Sequence, residues 1–278
     1  MVRLLMLDLD DTLLNDDLEL SSVNKATLIK AQQQGIKVAL SSGRPTFAME
    51  ALAEELELGK YGGYLISFNG AAIYDCKNER SIFHMPLPKG ALGELYNISQ
   101  KYNVYMQTYI ENAIVATEYN KYTDIEGDIT GMEIVVPRVY DDILEEEVTK
   151  VILLENPTML KHLESKLSPF SEGYLSMTIS KPFFLEFMNE GVDKGLALYK
   201  LCEHLEILTS EVIAFGDSYN DLPMLNKEAV SVAMGNSVDE VKSVCDYITD
   251  TNNNHGVSKF IEDRVFALGA SFTAMENG

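Results

Sequence analysis

Residues Asp8-Leu9-Asp10-Asp11-Thr12 place two carboxylates, Asp8 and Asp10, two positions apart. In an extended segment that spacing puts both on one side. Carboxylates so close disfavour joint ionisation unless a cation intervenes. A hard divalent ion with oxygen ligands, most simply Mg²⁺, meets that need. The same stretch also reads as an acidic loop capping the next helix. Ser42-Gly43-Arg44-Pro45 combines a hydroxyl, a glycine and a cation. The Ser42 hydroxyl and the amides opening a helix make a phosphate cradle, to which Arg44 adds charge; a plain N-cap at Ser41 or Ser42 is the alternative. Gly216-Asp217-Ser218-Tyr219-Asn220-Asp221 holds a second acidic pair behind a glycine, or else is an Asx-rich turn. Lys194 falls at the start of a helical stretch, where its charge opposes the helix dipole. An anion or carboxylate partner is a reasonable expectation beside it, although a lone lysine reads first as a solvated surface charge.

The elements that must position these residues follow from apolar patterning. Residues 2–7 are an apolar run too short for a helix, expected as a strand buried on both faces. Ser21 or Ser22 caps a helix over 23–34, and Gly35 stands where a C-terminal glycine belongs. A second buried strand covers 36–40. Pro45 suits the first turn of a helix that runs to about residue 58, with Gly59 as its stop. A third strand at 64–68 leads into a turn at Asn69-Gly70. Strand, helix, strand, helix, strand is the rhythm of a parallel sheet covered by helices. The acidic and serine stretches all fall at carboxyl ends of its strands, where open α/β sheets bind ligands.

The rhythm changes near His84. A helix at about 89–102 precedes a hairpin of 104–109 and 113–117 about Glu111-Asn112. A strand at 148–154, a helix at about 158–167 and strands at 174–180 and 183–188 complete an antiparallel sheet with helices on one face. After Gly191 the first rhythm resumes. Leu198, Leu201, Cys202 and Leu205 mark a helix face, followed by strands at 212–215, 230–233 and 247–248. The expected fold class is α/β: a parallel-sheet core from 1–83 and 191–278, interrupted by an α+β domain at 84–190.

Of 278 residues, 46% are apolar, enough for a sizeable core in one large domain plus an insert. The 22 basic and 43 acidic residues give a net charge of −21. Such a chain repels nucleic-acid backbones and anionic lipid, so neither is an expected partner. The same field repels a phosphorylated substrate, so a site for one must supply local cations. Cys76, Cys202 and Cys245 lack zinc or redox-motif spacing and are expected as reduced thiols in a cytoplasmic protein. No signal-like leader opens the chain, and no apolar run approaches the roughly 20 residues that span a bilayer.

The motifs DLDDT, SGRP, Lys194-Gly195 and GDSYND occur in this order, with the long interruption between the second and third. This set resembles the haloacid dehalogenase superfamily. Phe68-Asn69-Gly70-Ala71, the run 215–225 and Val232-Ala233-Met234-Gly235-Asn236 are similar to the Cof-type branch, subfamily IIB, and the resemblance covers essentially the whole chain. It implies a Rossmann-like core with a large C2-type cap acting as a lid, and a Mg²⁺-dependent phosphatase of small phosphorylated metabolites, sugar phosphates foremost. Asp8 is then nucleophile and metal ligand. Asp10 is general acid and base, with its backbone carbonyl on the metal. Ser42, with Gly43, and Lys194 hold phosphoryl oxygens, Asn220 lies near the phosphate or metal, and Arg44 is a further substrate contact. Asp217 ligates Mg²⁺, and Asp221 supports the metal shell or Lys194. Ser42 stands where threonine is common. His255 stands where the family often has an acid, which leaves the role of the loop at 252–256 open.

These residue types suit phosphate monoester hydrolysis. An aspartate nucleophile splits the reaction into two steps, and most of the remaining work is positioning and charge stabilisation. Within the same family a phosphosugar mutase fits the motifs too. A receiver-like signalling module shares the acids, hydroxyl and lysine but not the large insert. A non-catalytic phosphometabolite-binding protein is disfavoured by the presence of both Asp8 and Asp10. A monomer or small homo-oligomer is expected.

Overall fold

The computed structural model describes residues 1–225 and 228–267; the end of the expected core, 268–278, lies outside them. Two compact units are present: Met1–Phe83 together with the chain from Asp193 onward, and His84–Val192.

In chain order the strands begin with β1 (Leu4–Asp8), β2 (Lys37–Ser41), β3 (Tyr64–Ser67), β4 (Ala72–Asp75) and β5 (Arg80–His84). The second unit adds β6 (Tyr105–Ile110), β7 (Ala113–Ala116), β8 (Glu133–Val135), β9 (Val151–Leu154), β10 (Leu175–Lys181) and β11 (Phe184–Asn189). The first unit closes with β12 (Val212–Gly216), β13 (Val230–Ala233) and β14 (Tyr247–Ile248).

The first unit carries an eight-stranded sheet in the order β14-β13-β12-β1-β2-β3-β4-β5. The pairings from β14 through β3 are parallel, and β4 turns back antiparallel on β3. Alternation of side chains explains the unbroken apolar strands. Leu5 and Leu7 face one core with Leu28 and Ala31 of the helix Ser22–Gln33. Leu4 and Met6 face the other, with Ala197, Leu198 and Leu201 of the helix Lys194–Leu205. Because β1 has β2 on one side and β12 on the other, strand order reverses at β1, the switch point where α/β sheets open a crevice.

Several local expectations hold. The Ser21 hydroxyl accepts from the Asn24 amide at the first helix, and Gly35 adopts φ +87° after it. The expected single helix over 45–58 does not form. A 3₁₀ turn at Phe47–Met49 leads into a helix at Glu50–Glu55, and a second short helix, Leu58–Tyr61, ends at left-handed Gly62 rather than at Gly59. The physical reason is Leu56 and Leu58, both fully buried. Two residues apart on one helix they would point about 200° from each other; left-handed Glu57, at φ +54°, turns both inward. Strands β4 and β5 were not expected, since runs of four or five half-buried residues carry little periodic signal.

The second unit is a six-stranded sheet in the order β10-β11-β9-β6-β7-β8, antiparallel except for the β7–β8 pair. Helices Ala91–Tyr102 and Pro157–Ser171 pack Leu92, Leu95, Leu160 and Leu163 onto Met106, Val151, Leu153 and Phe187. The helix Lys121–Thr130 and β8 were also not expected. The helix has few apolar positions, and its start is set by Asn120, whose side chain accepts from the Tyr122 and Thr123 amides. Among the described residues no helix is long and apolar enough to cross a membrane.

Candidate active site

Four segments of the first unit meet at the carboxyl ends of β1, β2 and β12. Asp8 is the last residue of β1 and pairs in register with Ser41 of β2. Lys194 is the first residue of its helix, where the Asp193 carboxylate caps the Leu196 amide at 2.7 Å. Its side chain is fully buried. The ammonium donates to Asp8 Oδ1, to Asp221 Oδ1 at 2.6 Å and to the Ser41 carbonyl at 3.3 Å. All three of its donors are thus used, and the partner expected from the helix dipole is a pair of carboxylates.

Asp221 is held from its other side as well. Its Oδ2 accepts from the amides of Asp217 and Ser218 at 2.9 and 3.0 Å. This loop closes tightly on Gly216, where an added Cβ would lie 2.6 Å from that of Asp221. Asp217 accepts from the Thr12 hydroxyl at 2.8 Å. The carboxylates of Asp8, Asp217 and Asp221 offer oxygens all within 4.8 Å of one another.

That crowding shows in the protonation equilibria. Burial pushes the Asp8 carboxyl well above its ordinary range; Asp221 and Asp217 push the same way, and Lys194 opposes them. Burial and then Asp221 raise Asp217 to about 6, against the Thr12 hydrogen bond. Burial works against the Lys194 ammonium, yet Asp8 and Asp221 together raise its pKa above the ordinary lysine value. Three carboxylates facing one ammonium leave an excess of negative charge. An all-oxygen donor set of this kind fits a hard divalent cation such as Mg²⁺.

Asp10 lies two residues past the end of β1. The strand ends at Asp8, and the chain turns sharply through left-handed Asp11, at φ +62°. The Asp10 side chain is 45% exposed and lies outside the carboxylate cluster. Both its oxygens are taken by the Arg44 guanidinium, Nε at 3.2 Å on Oδ2 and Nη2 on Oδ1. Arg44, expected as a substrate contact, is committed to Asp10.

Ser42 is buried, and its hydroxyl accepts from the Arg44 amide at 3.2 Å. No helix begins at Pro45, so Ser42-Gly43-Arg44 forms a tight loop rather than a helix N-terminus. Asn220 is exposed, and its Nδ2 donates to Asn69 Oδ1 at 3.3 Å. His255 lies in the turn after the Asn252–Asn254 segment at φ +59°, with its Nδ1 buried and without a partner among the described residues.

Three contributors to this site carried no assigned role in the sequence reading. Thr12 sits inside DLDDT, and its hydroxyl orients Asp217. Asn69 lies in the Phe68–Ala71 motif and touches Asn220. Asn236 holds the Asp11 carbonyl through Nδ2 at 2.7 Å and accepts from the Asn252 amide. Membership of short polar motifs was the available signal; their partners are too distant in sequence to be inferred.

The chain is similar to known proteins over nearly its whole length. Residues 5–261 match a family described as haloacid dehalogenase-like hydrolase. A 5-amino-6-(5-phospho-D-ribitylamino)uracil phosphatase of Bacillus subtilis, YcsE, is 31% identical over 264 residues, covering 94% of each chain. A haloacid dehalogenase-like hydrolase from Bacteroides thetaiotaomicron has a solved structure with a TM-score of 0.91 at 35% identity, covering 95% of this chain and all of that one. The subclass IIB sugar phosphatase BT4131 shares the fold, with a TM-score of 0.78 at 23% identity over 94% of this chain and 98% of its own.

Proposed function

The chain belongs to the haloacid dehalogenase-like hydrolase family, and from that premise we propose that it is a Mg²⁺-dependent phosphatase. Its substrates are small organic phosphate monoesters, sugar phosphates foremost, and the reaction passes through an aspartyl-phosphate on Asp8. The observation that carries this reading is the buried Lys194 ammonium bound at once to Asp8 and Asp221 at the switch point of the sheet. The substrate class draws support from the B. subtilis relative, whose named substrate carries its phosphate on a ribityl chain.

Lys194 fixes Asp8 through Oδ1. Asp8 Oδ2, which carries no hydrogen bond among the described residues, attacks the phosphorus, and the ester P–O bond breaks. Asp10, protonated for this step and released by Arg44 at one oxygen, gives its proton to the departing oxygen. It then takes a proton from the water that attacks the aspartyl-phosphate, releasing inorganic phosphate and restoring Asp8. Ser42 and the Gly43 loop receive phosphoryl oxygens, with Asn220 at the rim. Asp8, Asp217 and the Asp10 backbone carbonyl would hold Mg²⁺, and Asp221 would support them through Lys194 and the 217–218 amides. When bound, the ion supplies charge neutralisation between two anionic reactants. Arg44 orients the Asp10 carboxylate. Burial of Asp8 and Lys194 strengthens the electrostatic attraction between them.

The test is inorganic phosphate release from a panel of sugar and aryl phosphates, with Mg²⁺ or EDTA, for wild type and Asp8→Asn. Release that needs Mg²⁺ and disappears in the variant is the expected result. Phosphate moved between sugars with no net release would replace hydrolysis with a mutase reaction.

A further inference from the structure

We infer that Asn69 is a further substrate-binding residue, whose carboxamide donates a hydrogen bond to the phosphoryl group beside Ser42 and Gly43. The inference rests on the phosphatase reading and extends it to a segment outside the acidic, serine and lysine motifs.

Backbone conformation is the first observation. Phe68, Asn69 and Gly70 are successive left-handed residues, with φ of +51°, +52° and +107°. A bulky residue such as Phe68 rarely adopts that conformation. It persists where the surroundings over-determine it, and such places cluster at ligand sites. Here the surroundings are the site itself. The Phe68 amide donates to the Arg44 carbonyl at 3.0 Å, and the Asn69 amide donates to the Ser42 carbonyl at 2.9 Å. Gly70 lies so close to the residue before Lys194 that an added Cβ would fall 2.2 Å from the Asp193 carbonyl oxygen. The turn is thus clamped between the serine loop and the lysine helix.

Side-chain placement is the second observation. The Asn69 carboxamide lies against Gly43, where a Cβ would come within 3.2 Å of its oxygen and 3.3 Å of its nitrogen. Its Oδ1 accepts from Asn220, which fixes the amide with Nδ2 as the remaining donor. That Nδ2 has no hydrogen-bond partner among the described residues.

Donor accounting supplies the third argument. A phosphate monoester presents up to two negative charges on three oxygens. Lys194 spends its donors on Asp8, Asp221 and the Ser41 carbonyl. The Arg44 guanidinium is turned to Asp10, and its amide serves the Ser42 hydroxyl. In an acidic site with its cations so committed, a neutral amide donor beside the glycine adds attraction for the anion without drawing on any carboxylate partner.

The experiment compares wild type, Asn69→Gly and Asn69→Asp for binding of inorganic phosphate by calorimetry, with KM and kcat on one good monoester. Glycine keeps the left-handed backbone and removes only the carboxamide. We expect Asn69→Gly to weaken phosphate about tenfold or more, the loss for a hydrogen bond to a charged group, with KM raised in step. Asn69→Asp, which replaces the donor by a negative charge, weakens it further and decides the matter should the glycine variant fail to fold. Wild-type phosphate affinity in a folded Asn69→Gly, or in Asn69→Asp, would overturn the assignment and leave Asn69 as a turn residue. Calorimetry needs no turnover, so failure of the phosphatase reading shows separately, as a wild-type chain that releases no phosphate with Mg²⁺.

Discussion

The Lys194 ammonium lies between Asp8 Oδ1 and Asp221 Oδ1 and touches both, and none of the three side chains is more than 9% exposed. One buried cation therefore holds together residues separated by 186 and 27 positions in the chain. Removing one partner of a buried ion pair leaves uncompensated charge and costs about 3–5 kcal/mol. Lys194→Met in EDTA should lose about that much stability at pH 7.5 by urea denaturation, along with its activity. The loss should shrink at pH 5, where the crowded carboxylates accept protons. A variant as stable as wild type at pH 7.5 would mean that Lys194 does not hold the cluster.

The ion pair of Arg44 and Asp10 makes a different claim. A planar guanidinium binding both carboxylate oxygens fixes the direction of the carboxylate as well as its charge. Arg44→Ala should lower kcat by about 10–100-fold, the usual range for general acid–base catalysis being about 10²–10⁴, with KM nearly unchanged. Arg44→Lys should rescue little, because a point charge cannot reproduce the fork. If KM rises and kcat holds, Arg44 binds substrate as its sequence position suggested.

How much of this was legible beforehand depends on the range of each interaction. Asp8, Ser42, Asp217 and Lys194 could be singled out because each stands where an apolar strand stops or a helix starts, a local signal. Helix electrostatics suggested an anionic partner for Lys194, although a lone lysine there reads first as a solvated surface charge; the structure supplies Asp8 and Asp221. The pairing of Arg44 with Asp10 was not legible, since the two lie 34 positions apart with no local pattern joining them. Nor was the break at Glu57, which arises because Leu56 and Leu58 both seek one core. The helix Lys121–Thr130 was missed because its pattern is weak and its cap decides its start. Thr12 and Asp217 lie 205 residues apart, and no local pattern joins them.

Protonation of the carboxylate cluster should be visible in stability. Asp217 is raised to about 6 from an ordinary 3.8. Between those values the folded protein binds more protons than the unfolded chain, so stability rises as pH falls through this window. Asp217→Asn removes one of the repelling charges. In EDTA at pH 7.5 it should melt roughly 2–4 °C above wild type, about 1 kcal/mol for a domain of this size. The advantage should fade at pH 5. With saturating Mg²⁺ the order should reverse under the proposed role, in which the wild-type carboxylate would be a ligand and would have to be deprotonated. An EDTA melting difference that is absent, or independent of pH, would show that Asp217 is not under this strain.

The Thr12 hydroxyl donates to Asp217 Oδ1 from a fully buried position. Thr12→Val preserves the shape of the side chain and deletes the donor, leaving the carboxylate free to rotate. Groups that orient a metal ligand in this way are worth about 10–100-fold in metal affinity or activity. The Mg²⁺ concentration for half-maximal activity should therefore rise by about that factor in Thr12→Val, while activity at saturating Mg²⁺ recovers most of its wild-type value. Thr12→Ser, which restores the hydroxyl, should return the Mg²⁺ requirement toward wild type and so separate the hydrogen bond from packing. Unchanged Mg²⁺ dependence in a folded Thr12→Val would mean that the 217–221 loop orients Asp217 without help from the first strand's turn.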